Sequence, residues 1–232
     1  DFGKPETIAA ALEGVDRTYM LLPAGYLNVR DLLLPFVEAA ASRKVKIVFQ
    51  SAFGVDANDA NPMRQMEILL EKSGTPHVIL RPNWFSDNFH HFWKAGLDQG
   101  QIALPAGDSR TSFIDVRDIA ASAIAALTST AFDGKAFNLT GPEALSYADA
   151  AAILSEVTGK PVRYAATSDK AFIDMLENNG VPAANAAHMA SIFHPVRQGW
   201  MSVVTDDVMK LTGERPRTLR EYAQDKVAAL TA

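Results

Sequence analysis

Three short apolar runs dominate the first third of the chain: "RTYMLLP" at residues 17–23, "VKIVFQSA" at 45–52 and "HVILRP" at 77–82. Each has the length of a strand and is nearly continuous in apolar residues rather than alternating, the pattern of a strand buried on both faces. Segments of helical spacing separate them. "LNVRDLLLPFVEAAASR" places Leu27, Leu33, Leu34 and Val37 on one side, with Pro35 as an expected kink. "PMRQMEILLEKSG" begins with Pro62 in its first turn and stops at Gly74, the usual asymmetry of helix ends. Pro5 opens a further short helix ahead of Ile8, Ala11 and Leu12. Strands and helices in alternation, joined by right-handed crossovers, specify an α/β fold with a doubly wound parallel sheet.

The rhythm changes after residue 85. "FSDNFHHFWKAGLDQG" reads as an aromatic-rich helix and turn, and "QIALP" and "TSFIDV" read as short strands. "VRDIAASAIAALTS" is a helix whose positive end carries Asp115 and Asp118, where carboxylates are favoured. "KAFNLTG" is a strand stopped at Gly141–Pro142, and Ser146 with Asp149 three residues on predicts a capping box. Residues 162–232 add the strand "VRYAAT" and three or four helices. The expected organisation is a single domain over 1–232, with 1–140 mainly the sheet layer and 141–232 mainly a small C-terminal α/β cap lobe.

Composition narrows the function. Net charge is −5, from 22 basic and 27 acidic residues, with no block of like charge; nucleic-acid binders carry a basic patch, so none is expected as partner. No apolar run reaches membrane length, so no membrane partner is expected either. The chain has no cysteine, which excludes disulfides and thiolate chemistry and fits a cytoplasmic setting. His90 and His91 are adjacent, so on a helix they would point about 100° apart. His77, His188 and His194 have no metal spacing either, and no metal site is expected. No Gly-x-Ser-x-Gly elbow of a hydrolase occurs.

Six phrases in order carry a family resemblance: "AALEGVDRTYMLLP", "VKIVFQSAFG", "EKSGTPHVILRPNWFSDNF", "LPAGDSRTSFIDVRDIA", "NLTGPEALSYADAAAILSEVTGK" and "LTGERPRTLREYA". Together they resemble the NmrA-like branch of atypical short-chain dehydrogenase/reductases, which includes quinone oxidoreductases, triphenylmethane-dye reductases and redox-sensing regulators. The resemblance spans essentially the whole chain and implies a Rossmann-like domain binding NADP (or NAD). In that family a Gly-rich dinucleotide fingerprint lies on the first strand–helix turn, and no G-x-G-x-x-G or G-x-x-G-x-x-G occurs here. "DFGKPETIAAALEGV" matches the segment after the third strand, so roughly 50 residues carrying the fingerprint are expected ahead of Asp1.

The resemblance also distributes roles. Asp1 and Phe2 correspond to an acidic–apolar pair that meets adenine. Leu22, Pro23 and Ala24 end one strand, Ser51 and Ala52 the next, and Arg81, Pro82, Asn83, Trp84 and Phe85 end the third and wall the nicotinamide. For each strand end the alternative is a packed turn. Many relatives place Lys or His where Met63 stands, four residues before Glu67. A thioether donates no proton and accepts weakly, so acid–base help is not expected from this helix. Arg64 stays protonated and is a candidate anion holder. Tyr222 and Lys226 fit Tyr-x-x-x-Lys, but in the last helix of the chain, where packing or surface is the expected role.

A site without an acid suits acceptors that are already electrophilic, such as quinones and cationic dyes, which take hydride without a concerted proton. The aromatic residues Phe53, Trp84, Phe85, Phe89, Phe92, Phe113 and Trp200 suit a flat apolar acceptor, with most expected in the core. Trp84 and Trp200 are the favoured pair, and Asn88 and His91 are further substrate candidates. The leading expectation is an NAD(P)H-dependent oxidoreductase acting by direct hydride transfer on a quinone-like or aromatic small molecule. The alternatives are a non-catalytic NADP-binding regulator and a chain that binds no cofactor. A homodimer is left open, and no residue argues for one.

Overall fold

The computed structural model describes residues 1–232 except Ala24, Leu27 and Ala232. A 3-10 turn over Pro5–Thr7 leads into α1 (Ile8–Ala11), followed by β1 (Arg17–Leu21), α2 (Val29–Ser42), β2 (Lys46–Gln50), α3 (Pro62–Lys72) and β3 (His77–Pro82). Next come a 3-10 turn (Ser86–His90), α4 (Lys94–Asp98), β4 (Gln101–Leu104), β5 (Arg110–Thr111), α5 (Val116–Thr128) and β6 (Lys135–Leu139). The remainder is β7 (Leu145–Ser146), α6 (Tyr147–Thr158), β8 (Arg163–Ala166), α7 (Asp169–Asn178), α8 (Ala183–Ser191) and α9 (His194–Arg197). A 3-10 turn (Trp200–Ser202), α10 (Asp207–Thr212), α11 (Leu219–Asp225) and α12 (Val227–Thr231) complete it.

The chain forms two compact units that interleave in sequence. One comprises Asp1–Pro82, Ile119–Leu139 and Asp207–Gly213; the other comprises Asn83–Asp118, Thr140–Asp206 and Glu214–Ala232. The first unit holds a four-stranded sheet in the order β1-β2-β3-β6, every pair parallel. Period-two alternation sends Ile47 and Phe49 to one face and Val48 to the other, and all three are fully buried. On the first face Met20, Ile47, Phe49 and Ile79 pack with Leu33, Val37 and Ala40 of α2 and Met66 and Leu70 of α3. Truncating a fully buried leucine such as Leu33 to Ala costs about 2–5 kcal/mol, so this layer is a principal source of the unit's stability. The parallel α/β fold read from the three apolar runs is the one observed, with β3 spanning the predicted His77–Pro82.

The second unit is built around aromatic side chains. A parallel pair, β4 with β8, and an antiparallel pair, β5 with β7, frame it. Tyr147 lies at its centre, with ring centroids 5.3 Å from Phe113, 5.5 Å from Trp93 and 5.7 Å from Tyr164. The capping box of Ser146 and Asp149 forms as predicted, and Thr218 with Glu221 makes a second. Gly141 is required by close approach: a Cβ there would stand 1.9 Å from the Phe113 carbonyl oxygen.

Three local expectations are corrected. The segment from Phe85 to Gly100 is not one helix but a 3-10 turn and the short α4. Its donors go elsewhere, Ser86 N–H to the Ile114 carbonyl at 2.8 Å and Trp93 N–H to Asn88 at 2.9 Å, so an α-helical ladder cannot run through it. "TSFIDV" is a strand only at Thr111, because the next donors meet irregular backbone, Ser112 to Met201 and Ile114 to Trp84. Beyond residue 162 the described residues form six α-helices instead of three or four. Pro182 and Pro195 at helix starts, with Gly199 and Gly213 in left-handed conformation, divide them.

Candidate active site

In an open parallel sheet, ligands gather outside the carboxyl ends of the strands. In the first unit those ends are Leu21, Gln50, Pro82 and Leu139. The pairing of β2 with β3 continues past them: Ser51 N–H donates to Leu80 at 2.8 Å and Phe53 N–H to Pro82 at 3.1 Å. Ser51, Ala52 and Phe53 are therefore held in register by the sheet although they lie outside it. Gly54, at φ 78°, then turns the chain away. The Tyr19 hydroxyl donates to Gln50 Oε1, and burial pushes the phenol up to about 12. The crossover brings the start of α3 to this edge, where Asn61 caps it by accepting from Met63 N–H at 2.9 Å.

An ion network lies behind the edge. Glu67 is fully buried, and Arg81 grips it with Nε to Oε1 at 2.9 Å and Nη2 to Oε2 at 2.8 Å. The remaining arm of Arg81 reaches Asp56 at 2.6 Å. Arg64 Nη1 binds Glu67 at 3.0 Å and Glu71 at 2.8 Å, and its Nε binds Asp59 at 3.2 Å. Burial acts to raise the Glu67 carboxyl, but the hydrogen bonds and positive charge of Arg81 and the hydrogen bond from Arg64 outweigh it and hold the group below its ordinary value. Neither arginine plays its expected part. Arg81 does not present its guanidinium as a wall, because a buried carboxylate needs it, and Arg64 is occupied by three carboxylates instead of a ligand anion.

Other predicted residues of this unit turn to the core. Phe2 stacks edge-on against Phe36 at 5.6 Å, and Phe2, Leu22 and Met63 all pack against the hydrophobic cluster. Asp1 Oδ1 accepts from Gly3 N–H at 2.8 Å in a local turn. Pro23 is exposed, Ala52 and Phe53 are half-buried, Ser51 and Pro82 are buried, and Ala24 lies outside the described residues.

The second unit begins at Asn83, which is buried and fully engaged. Its Nδ2 donates to Ser112 Oγ at 2.7 Å and to the Met201 carbonyl at 2.9 Å, while Oδ1 accepts from Trp84 N–H at 2.9 Å. Trp84 stacks on Trp93 at 5.9 Å and meets Phe193 at 4.8 Å, so at least part of its ring serves packing. Phe113 is a core residue, buried against Phe89 and Tyr147. Trp200 is 57% exposed and its ring neighbour is His194 at 6.0 Å, so the ring partners of Trp84 and Trp200 are different. Phe85 and Asn88 are half-buried, Phe85 bridging to Ile114.

The adjacent histidines do not diverge as helical neighbours would, because the turn that carries them is not α-helical. Their rings lie 4.1 Å apart. His91 is exposed, whereas His90 Nδ1 is hydrogen-bonded to the buried Tyr222 hydroxyl. Burial and the neighbouring His91 hold His90 below its ordinary value against the pull of Asp87. Tyr222 is thus buried in packing, but it does not lie in the last helix as expected: it belongs to α11, Lys226 lies just past the end of that helix, and α12 follows. Among the described residues, no group of three or more His, Asp or Glu could hold a metal ion, and no helix is long and apolar enough to cross a membrane.

Sequence reasoning missed three of these arrangements. Arg64, Glu67 and Glu71 at i, i+3 and i+7 form a charged row on α3 that could have announced the network. Nothing in the sequence joins Asn83 to Ser112 or His90 to Tyr222.

The profile of the NmrA-like family matches residues 1–223. The chain belongs to the NmrA-like family. Among its NmrA-like relatives, prestalk A differentiation protein A of Dictyostelium discoideum is 31% identical over 97% of this chain and 74% of its own length. The NAD(P)H azoreductase of Xenophilus azovorans is 32% identical over 100% of this chain and 82% of its own. The crystal structure of an NADPH-dependent quinone oxidoreductase from Escherichia coli, in complex with NADPH, superposes with a TM-score of 0.85 at 25% identity. It covers 97% of this chain and 81% of that one.

Proposed function

We propose that the chain, an NAD(P)H-dependent oxidoreductase of the NmrA-like family, reduces flat electrophilic acceptors such as quinones and azo or cationic dyes by direct hydride transfer. The observation that carries this reading is the state of the charged groups beside the carboxyl edge of the first unit. Arg81 and Arg64 face carboxylates, Glu67 is buried beneath them, and Met63 packs into the core. The edge is left with Leu21, Gln50, Ser51, Phe53 and Pro82, an apolar floor with one amide and one hydroxyl. That set suits the nicotinamide and its ribose, which need a flat apolar contact and a few hydrogen-bonding groups. The Gly-rich turn that would cradle a diphosphate does not occur in these 232 residues.

When bound, the nicotinamide supplies the hydride. The chain's own part at this edge is to orient and to exclude water. β2 and β3 fix Ser51–Phe53 through backbone hydrogen bonds, so the floor is rigid. A ketone would leave an alkoxide needing a proton within the step, whereas a quinone or dye leaves a stabilised product that water protonates later. The azoreductase and quinone oxidoreductase relatives support this acceptor class.

The test is the NADPH oxidation rate with menadione, an azo dye and a plain ketone. Turnover is expected with the first two and not with the ketone, and kcat for menadione should show no protein-derived limb between about pH 6 and 9. NADPH binding without turnover on any acceptor would replace this reading with that of a regulator.

A further inference from the structure

We propose that Asn83, acting with Ser112, is a positioning residue that presents Trp200 as a stacking surface for a planar aromatic acceptor. The inference rests on the reductase reading for its choice of ligand, and on the second unit alone for its geometry. The stretch from Arg197 to Thr205 is largely irregular backbone, yet it is tied down along its length. Ser109 Oγ donates to the Arg197 carbonyl at 3.1 Å, and the Arg197 guanidinium binds Asp169 at 2.9 Å. Gly199, at φ 76°, starts the turn that carries Trp200.

Asn83 and Ser112 then hold the middle. The Met201 carbonyl accepts from Asn83 Nδ2 at 2.9 Å and from Ser112 N–H at 3.0 Å, while the Val203 carbonyl accepts from Ser112 Oγ at 2.7 Å. Thr205 N–H donates to Thr140 Oγ1 at 3.0 Å at the far end.

Pinning these carbonyls inward decides which side chains face out. Met201 is buried, whereas Trp200, Val203 and Val204 are 57%, 50% and 46% exposed. A buried amide and a buried hydroxyl thus fix the backbone beneath three exposed apolar side chains. A backbone held rigid beneath an exposed aromatic side chain lowers the ordering cost of binding to it. The His194 ring lies perpendicular to the indole with centroids 6.0 Å apart. An exposed flat indole favours a planar π-system by offset stacking.

The experiment titrates menadione into the full chain without cofactor, following quenching of tryptophan fluorescence, and separately measures NADPH-dependent kinetics. In wild type a saturable quench is expected; Trp200→Phe should abolish most of it. Asn83→Asp, which turns a donor into an acceptor facing two oxygens, should weaken menadione binding and raise its KM by about tenfold with kcat nearly unchanged, the mark of lost binding that is uniform along the reaction. Ser112→Ala should act in the same direction by a smaller factor, and it replaces Asn83→Asp should that variant not fold.

A quench insensitive to Trp200→Phe would overturn the proposal. So would a fall in kcat with KM unchanged, or unaltered binding in both clamp variants. Absence of NADPH turnover in wild type would sink the reductase reading alone, because the fluorescence titration still reports on the Trp200 surface.

Discussion

At the amino end of the four-stranded sheet, every strand starts with a basic residue that bonds to nearby backbone. At the carboxyl end, no strand finishes on a charged side chain. Arg17 donates to the Leu127 carbonyl at 2.8 Å, Lys135 to Ala131 at 2.9 Å, and His77 Nδ1 to Thr75 at 3.0 Å. Lys46 donates to Ser129 at 2.6 Å and pairs with Asp133 at 2.5 Å. The opposite end runs Leu21, Gln50, Pro82 and Leu139, with its arginine one residue back and turned onto Glu67. Both ends belong to the same strands and the same core. The difference teaches that charge here closes the amino end and braces the layer behind the carboxyl end, leaving the latter's surface to apolar and amide groups. A surface of that kind can hold an uncharged ring.

The largest effect should come from breaking the brace. Glu67→Ala leaves Arg81 as a buried cation with only the partly exposed Asp56 for company. Removing one partner of a buried pair costs about 3–5 kcal/mol, to be read from chemical denaturation at neutral pH. A loss below about 1 kcal/mol would mean that Arg81 relaxes to solvent and that the brace has been misread.

The same network sets an acid limit. Glu67 has its folded pKa below its ordinary 4.5, so its contribution to stability is present above the unfolded pKa and is lost as pH falls through the folded one. Glu67→Gln, which keeps the shape, should therefore flatten the stability curve below about pH 4.5 relative to wild type. An unchanged slope there would assign the acid sensitivity to other carboxylates.

How much of this contrast was legible beforehand follows from where each signal resides. β3 was readable to the residue because the short run Val78–Leu80 between Pro76 and Pro82 has one sensible assignment, and Ser146 with Asp149 announced a helix start through a local pattern. The orientation of Arg81 was not readable. All six residues of β3 are buried, and a charged residue at a buried strand end faces either a ligand or a partner. The partner, Glu67, lies on the preceding helix, and only the crossover brings the two together. The clamp of Asn83 on Met201 spans 118 positions, and the contact of His90 with Tyr222 spans 132. No local periodicity records separations of that size. The carboxyl edge of the sheet was therefore legible as a set of strand ends, whereas which strand-end side chains face outward was not.

A smaller effect should separate the two ends by function. Lys46→Met removes the amino-end cation and leaves Asp133, whose side chain is 28% exposed, without it. The expected cost is about 1–3 kcal/mol, with kcat/KM for menadione unchanged because the substitution lies at the far end of the strand. A matching fall in kcat/KM at a temperature where the variant stays folded would mean that the ends are coupled through β2.

The smallest expected effect is also the sharpest test of the acid-free edge. Met63 stands in the first turn of α3 and packs against the hydrophobic cluster. Met63→Leu nearly conserves volume, so it should cost less than about 1.5 kcal/mol. A thioether has no proton to give, so menadione reduction should survive with its rate and its pH profile intact. Met63→Ala separates packing from chemistry, since it keeps the absence of a donor but opens a gap against the core, and it should lower stability more than turnover. If Met63→Leu instead stopped reduction while denaturation and NADPH binding stayed at wild-type values, the sulfur itself would have a role in the reaction. The carboxyl edge would then not be the passive floor that its apolar and amide groups describe.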